Sequence, residues 1–337
     1  MASINDVARY VGCSTSTVSR VINKRDAVHP GTRKRVLEAI QKLHYKPNLT
    51  AVGLRMKQGR LLVLAVPEST SAAFTQIIQF SLEAAYKNGY NLILVNTHEN
   101  PELEEAYITD LLRRDINGII FSRVSDESHI LARILEQNIP IVVIDRGLAG
   151  DKAASVVLDN QQAGYIAGKH LAALGHTSLA CVTGPLRISL CRDRLKGFQE
   201  ALAEEGLTLP GSAVFEGDFK FGSGISAAEW LLNDMPGCSG VWAMNDVMAL
   251  GMIKKMQQRG VRIPEDISLL GMDDSEIAEM VSPSLTTVHY PLKELTDKAF
   301  EILFRQIETN TRIVDTVILQ PRLTIRDSTA RVREPVR

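Results

Sequence analysis

Ile4-Asn-Asp-Val-Ala-Arg-Tyr-Val-Gly-Cys-Ser-Thr-Ser-Thr-Val-Ser-Arg-Val-Ile-Asn23 is the stretch from which the whole chain is read. Ser3, with Asp6 three residues on, has the spacing of a capping box and predicts a helix over 4–10. Gly12 supplies a permissive turn, and Ser14 is a ready N-cap for a second helix over 15–23. Ile4, Val7 and Ala8 line one face of the first helix; Val18, Val21 and Ile22 line one face of the second. Two short helices joined by a tight turn containing Gly form a helix-turn-helix pattern. Pro30 suits the first turn of a third helix, and its Val36, Leu37, Ile40 and Leu43 close a three-helix core. This DNA-binding head is expected to span 1–46.

Pro47-Asn48 stops that unit. Asn48 caps one more short helix, 49–56, before Lys57-Gln58-Gly59 breaks it. Eight residues are too few for an isolated helix in water, and Gly53 costs it up to ~1 kcal/mol more. The segment 47–60 is therefore a hinge helix or linker that orders only against a partner. From Leu61 onward strand-like runs (61–66, 91–95, 118–121, 141–144, 155–158, 179–183, 214–215, 240–243, 268–272) alternate with helical segments (74–88, 103–113, 161–174, 194–205, 223–232, 247–258, 292–308). Such alternation implies βαβ units and parallel sheets covered on both faces. Residues 61–337 exceed one small doubly wound sheet, so two α/β lobes are expected, joined around 150–160 and again near 285–292.

Charge separates the two parts. The first 60 residues carry twelve Lys/Arg against Asp6, Asp26 and Glu38, a net +9; the chain totals are 38 basic and 39 acidic, so the remainder carries −10. A basic head on an acidic body is the footprint of a polyanion partner, because cations displace counterions condensed on phosphates. With 45% hydrophobic and 23% charged residues the chain is not intrinsically disordered, and its apolar runs are strand-sized, so no membrane span is expected. The polar first thirty residues, with Asp6, Arg9 and Arg20, do not read as a secretory signal, so a cytoplasmic location is expected. Cys13, Cys181, Cys191 and Cys238 lack CxxC spacing and read as reduced thiols.

In a helix-turn-helix the second helix enters the major groove N-terminus first. Thr15, Ser16, Thr17, Arg20 and Asn23 are the DNA-binding candidates, Arg20 suited to the two acceptors of guanine and the hydroxyls to several base edges. Leu54 in the linker is either a wedge for a minor-groove base step or a dimer contact. In the core, ligands bind outside the carboxyl ends of the strands. There stand Phe74 and Phe219, able to stack on a sugar face, with Ser122, Asp145, Asn245 and Asp273 just after strands and Arg194 opening a helix after one, Arg194 and Asp273 being expected on facing lobes. That mixture of an apolar face and convergent polar groups suits a sugar. Arg123, Arg146, Arg187 and Arg192, also near strand ends, are either surface charge or a sign of an acidic or phosphorylated sugar. No GxSxG, GxxxxGK[ST] or HExxH motif is present and the seven histidines lack ligand spacing, so neither an enzyme nor a cofactor is expected. A free-standing sugar-binding protein is the other class, and the basic head argues against it.

The quoted stretch resembles the N-terminal signature of the lactose/galactose-repressor (LacI/GalR) family of bacterial transcriptional regulators. Further matches are Thr32-Arg33, Leu43-His-Tyr-Lys-Pro-Asn48, Leu171-Ala-Ala-Leu-Gly-His176, Gly184-Pro185, Arg194-Leu-Lys-Gly-Phe198, Asn245-Asp-Val-Met-Ala-Leu-Gly251, Gly271-Met-Asp-Asp274 and Leu285-Thr-Thr287. Cys181-Val-Thr-Gly-Pro-Leu186 and Gly217-Asp-Phe-Lys-Phe-Gly222 look most like its ribose-repressor and purine-repressor branch. The resemblance implies a core like periplasmic sugar-binding proteins and a homodimer reading a pseudo-palindromic operator, with a hinge helix in the minor groove. It places Thr15, Ser16 and Arg20 at base-reading positions and Leu54 at the minor-groove leucine. Arg194, Phe219, Asn245 and Asp273 fall at effector-binding positions, with Tyr290 where relatives place Gln or Tyr. Phe74 matches the second aromatic of a Pro-Phe-Phe pattern whose first two residues are here Ala72-Ala73, which opens one wall of the pocket. His29 stands where the family usually has a capping Ser, so a weaker cap is expected. The function implied is a repressor released from its operator by a sugar, with a sugar acid, sugar phosphate or purine as alternative effectors. The charged C-terminal tail carries no leucine heptad, so a dimer is expected rather than a coiled-coil tetramer.

Overall fold

The computed structural model describes residues 3–22, 28–43, 60–147, 150 and 152–332; Asn23, Gly53, Leu54 and the expected linker helix lie outside them. The chain divides into two compact units, Met1–Gly59 and Arg60–Arg337.

In the first unit α1 (Ile4–Val11) has the capping box expected: the Ser3 side chain accepts from the Asp6 amide and Asp6 accepts from the Ser3 amide. Gly12 ends the helix in the left-handed region at φ 69°. The helix α2 (Thr15–Ile22) starts on Ser14, whose Oγ accepts from the Thr17 amide at 3.2 Å. The third helix, α3 (Pro30–Lys42), does not begin on an uncapped residue: His29 Nδ1 accepts from the Gly31 amide at 3.3 Å, so the imidazole does the work of a serine hydroxyl. Val7, Ala8, Val11, Val18, Val21, Val36 and Ala39 form the buried core. Leu37 is not part of it. It sits one residue round the helix from Val36 and is 49% exposed, while Ala39 faces inward.

The second unit has two six-stranded sheets. Lobe one contains β1 (Leu61–Val66), β2 (Asn91–Asn96), β3 (Gly118–Phe121), β4 (Ile141–Ile144), β5 (Ala154–Leu158) and β11 (Thr316–Leu319), in the spatial order β11-β5-β4-β3-β1-β2. Lobe two contains β6 (Leu179–Thr183), β7 (Val214–Glu216), β8 (Gly240–Ala243), β9 (Ser268–Asp273), β10 (Thr286–His289) and β12 (Arg322–Thr324), in the order β12-β10-β9-β8-β6-β7. All pairings are parallel except β10 with β12. The central strands are buried on both faces, as their unbroken apolar runs require. The short strands β10 to β12 and the helix at Ile130–Glu136 were not evident from periodicity, being too brief to show one.

The chain crosses between lobes after β5, again after β10, and a third time at Gln320-Pro321 between β11 and β12. The long helix after β10, Leu292–Thr309, packs on lobe one, where Gln306 donates to the Ile141 carbonyl at 2.9 Å. In lobe two the helix Asn160–Ala173 lies directly against Ser189–Glu204. Their approach rests on glycine: a Cβ on Gly164 would lie 1.8 Å from the Arg194 carbonyl oxygen, and one on Gly197 1.8 Å from that of Gln161. Ser189 begins the second of these helices, so Arg194 does not open it but lies within its second turn.

Candidate functional site

The carboxyl ends of the strands of both lobes border one cleft of about 280 Å³, at the small end of the ~300–1,000 Å³ usual for ligand sites. Lobe one contributes Phe74 from the first turn of Ala72–Lys87, where Ser71 Oγ accepts from the Phe74 amide at 3.2 Å. Lobe two contributes Phe219, whose ring packs on Gly184 so closely that a Cβ there would meet it at 2.0 Å. Ala72 and Ala73 also line the cleft, leaving the room that larger side chains would fill.

The polar lining is held by the fold before any ligand arrives. Arg194 is 4% exposed; its Nε donates to Asn160 Oδ1 at 2.8 Å and its Nη1 to the Met244 carbonyl at 3.1 Å. Asp273 ends β9 beside it. Burial, and next the Asp246 carboxylate, hold the Asp273 carboxyl well above the ordinary carboxylate range, against the pull of Arg194. Asp246 is itself pushed up to about 6 by burial although Ser275 and Thr287 donate to it at 2.7–2.9 Å. Asp145, just after β4, accepts from the Tyr290 hydroxyl at 3.0 Å, a bond that joins the strand ends of the two lobes. Burial, then Asp145, pushes the Tyr290 phenol well above its usual value.

Arg146 lines the same cleft. Glu99 grips it with two bonds, Nη2 to Oε1 at 2.7 Å and Nη1 to Oε2 at 3.1 Å. Burial works against the Arg146 charge, and the Glu99 bonds outweigh it and push its pKa up. Backbone strain concentrates here as well. Of eight described non-glycine residues at positive φ, four line the cleft: Glu99 (54°), Asp145 (62°), Phe219 (65°) and Asp273 (115°). Such conformations cost about 1–3 kcal/mol each and persist where the surroundings enforce them.

Several expected residues stand differently from their sequence reading. Ser122 is not brought to the cleft: it is wholly buried behind β3, and its Oγ has no hydrogen-bond partner among the described residues. Asn245 does line the cleft, yet its Oδ1 caps Asp246–Gln258 by accepting from Met248 at 2.9 Å and its Nδ2 holds the Phe219 carbonyl at 2.9 Å. Arg194 and Asp273 belong to the same lobe, not to facing ones, because β6 and β9 share a sheet. Arg123 and Arg146 are buried, not surface charge, whereas Arg187 and Arg192 are exposed, Arg192 bonding Asp126 across the lobes at 2.8 Å. Glu99 and Asn160 were missed. Glu99 lies in a short turn and Asn160 opens a helix, and at neither position does local sequence decide where the side chain points.

In the head, Thr15, Ser16 and Arg20 share one face of α2, Ser16 and Arg20 exposed and Thr15 half-buried, opposite the buried Val18 and Val21. Ser14 Oγ bonds Ser16 Oγ at 2.7 Å and Thr17 Oγ1 at 2.9 Å. The Thr17 hydroxyl is thereby engaged at the cap, and the outward face is Thr15, Ser16 and Arg20. Asn23 and Leu54 lie outside the described residues. Among the described residues no helix is long and apolar enough to cross a membrane and no cluster of side chains could hold a metal.

Residues 3–48 match the family described as bacterial regulatory proteins, lacI family, and residues 169–329 the periplasmic binding protein-like domain. The chain is 36% identical over 334 residues to the HTH-type transcriptional repressor PurR of Vibrio vulnificus (strain CMCP6), covering 98% of this chain and 100% of that one. Its fold matches the lac repressor dimer bound to operator and the anti-inducer ONPF, with a TM-score of 0.86 at 28% identity over 98% of this chain and 99% of that one. It also matches a LacI family regulator from Enterococcus faecium with bound ribose, with a TM-score of 0.73 at 27% identity over 81% of this chain and 100% of that one.

Proposed function

The chain belongs to the LacI family of bacterial regulatory proteins, and on that premise we propose that its effector is a monosaccharide held in the cleft between the lobes. It is a DNA-binding transcriptional repressor controlled by a small ligand, and not an enzyme. The observation that carries the sugar reading is the meeting of Phe74 and Phe219, one from each lobe, with Asp145, Arg146, Arg194 and Asp273 in one small cleft. Aromatic rings cover the apolar faces of a sugar ring, and charged groups form strong hydrogen bonds to hydroxyls around its rim. The ribose seen in the Enterococcus faecium regulator supports the same chemistry in a core of this fold.

Asp145, Arg146, Arg194, Asp273 and Tyr290 hold the sugar in this reading. Asn245 acts through the Phe219 loop, and Ser122 takes no direct part. The homodimer presents two heads to a pseudo-palindromic operator in the cytoplasm, with Thr15, Ser16 and Arg20 reading base edges, Asn23 at the end of that helix and Leu54 in the minor groove. Sugar binding draws the lobes together and releases the operator.

Thermal-shift titration of the full chain against monosaccharides, sugar acids, sugar phosphates and purines tests this. A ligand at a hundredfold excess over its Kd stabilises by about 2.7 kcal/mol. Stabilisation by a neutral monosaccharide, with loss of the operator gel shift, is the expected result. Stabilisation by purines alone refutes it. A purine is the second reading, because the same two aromatic rings would sandwich a flat heterocycle.

A further inference from the structure

We propose that Glu99 sets the charge selectivity of the cleft, occupying the Arg146 guanidinium fork so that neutral ligands enter and their phosphorylated or carboxylated forms are turned away. This rests on the cleft being the effector site and deepens the monosaccharide reading.

A buried arginine at the wall of a ligand cleft is by itself an anion trap, because its planar fork matches two oxygens of a phosphate or carboxylate. Here that fork is taken. Nη1 donates to Glu99 Oε2 at 3.1 Å and to the carbonyls of Val124 at 2.8 Å and Arg123 at 3.3 Å, and Nη2 donates to Glu99 Oε1 at 2.7 Å. What remains is the edge made by Nε–H and the second N–H of Nη2, where Nε is buried, has no hydrogen-bond partner among the described residues and stands 3.8 Å from Asp145 Oδ2. A carboxylate already faces that edge, which favours a neutral hydroxyl or ring oxygen there over a phosphate.

The backbone is bent to bring Glu99 there. His98 and Glu99 are consecutive residues in the left-handed region, at φ 53° and 54°, where side chains other than glycine are disfavoured. The loop is pinned from beneath: the Glu99 amide donates to the Pro67 carbonyl at 2.7 Å, His98 to Asn96 Oδ1 at 3.0 Å, and Asn96 Nδ2 to Ser69 Oγ at 2.7 Å. Arg146 is only 4% exposed, so Glu99 also compensates a charge that would be costly to leave buried and unpaired. Glu99 also stands 3.8 Å from Arg187 of lobe two, pairing with a second cation. Glu68, Asp145, Asp218 and Asp273 also line the cleft, where the other basic side chains are Lys220 and Arg194, the latter already donating inward to Asn160 and Met244.

The test compares the full-length wild type with Glu99→Gln and Glu99→Asp by calorimetry. The probes are three pairs: ribose and its phosphate monoester, glucose and its phosphate monoester, adenosine and its monophosphate. In the pair whose neutral member binds, the wild type should favour that member by about a hundredfold or more, and Glu99→Gln should narrow the ratio at least about tenfold through tighter phosphate binding. Glu99→Asp, which keeps the charge, should stay near the wild-type ratio. A wild-type ratio near one overturns the proposal, and so does a folded Glu99→Gln chain that keeps the wild-type ratio. If adenosine proves to be the neutral ligand, the monosaccharide reading falls, and the same ratio still decides the role of Glu99.

Discussion

Asp273→Asn should weaken effector binding and stabilise the free protein, two effects of opposite sign from one isosteric change. The Asp273 carboxyl is buried and raised well above its ordinary value, chiefly by burial and then by Asp246, so in the folded chain its ionised form is disfavoured. The sign follows from linkage: a group whose folded pKa is raised stabilises most below its unfolded value near ~3.9, and that contribution is lost as pH rises through the folded pKa. The neutral amide is free of that loss. At neutral pH the variant should therefore be the more stable of the two, with the higher Tm. The gain should shrink steadily toward pH 4, where Asp273 of the unfolded chain becomes protonated as well. Effector affinity moves the other way, because the amide lacks the carboxyl's acidic proton and its charge, a loss of about 0.5–1.5 kcal/mol if the bond to the ligand is neutral and ~1.5–3 kcal/mol if it is charged, roughly two- to hundredfold in Kd. Differential scanning fluorimetry from pH 4 to 8, paired with calorimetric titration, reads both. A variant that binds effector like the wild type, or whose stability relative to wild type does not change with pH, would refute the reasoning.

Gly184→Ala should also impair effector binding, since the new methyl would lie 2.0 Å from the Phe219 ring and must drive that ring out of place; an unchanged Kd argues that Phe219 does not touch the ligand. Operator binding should fall steeply with salt, by about 10³ or more between 50 and 200 mM if the +9 head makes six or more phosphate contacts, and a shallow slope in gel shifts would count against that contact number. Leu54→Ala should weaken operator binding and leave effector affinity unchanged, as fluorescence anisotropy and calorimetry on the same preparation can show.

Local rules carried the head and the outline of the core. The caps at Ser3 and Ser14, the inward faces of Val7, Val18 and Val36, and the unbroken apolar strands all depend on neighbours within a few residues, so the chain's order of side chains determines them. The segregation of charge into a basic head was equally legible, and so was the placing of Phe74, Asp145, Phe219 and Asp273 just after strands. What those side chains meet was decided elsewhere. Strand order puts Arg194 and Asp273 in one lobe, the sheet packing buries Ser122 away from the cleft, and the turn after β8 engages Asn245 as a cap. Arg146 reads as surface charge or as the mark of an acidic ligand until the loop after β2 brings Glu99 to it across 47 residues of chain. Helices and strands repeat hydrogen bonds that sequence spacing encodes. The cleft is instead made of side chains at turns, several in left-handed conformations that only the packing of distant segments can hold in place.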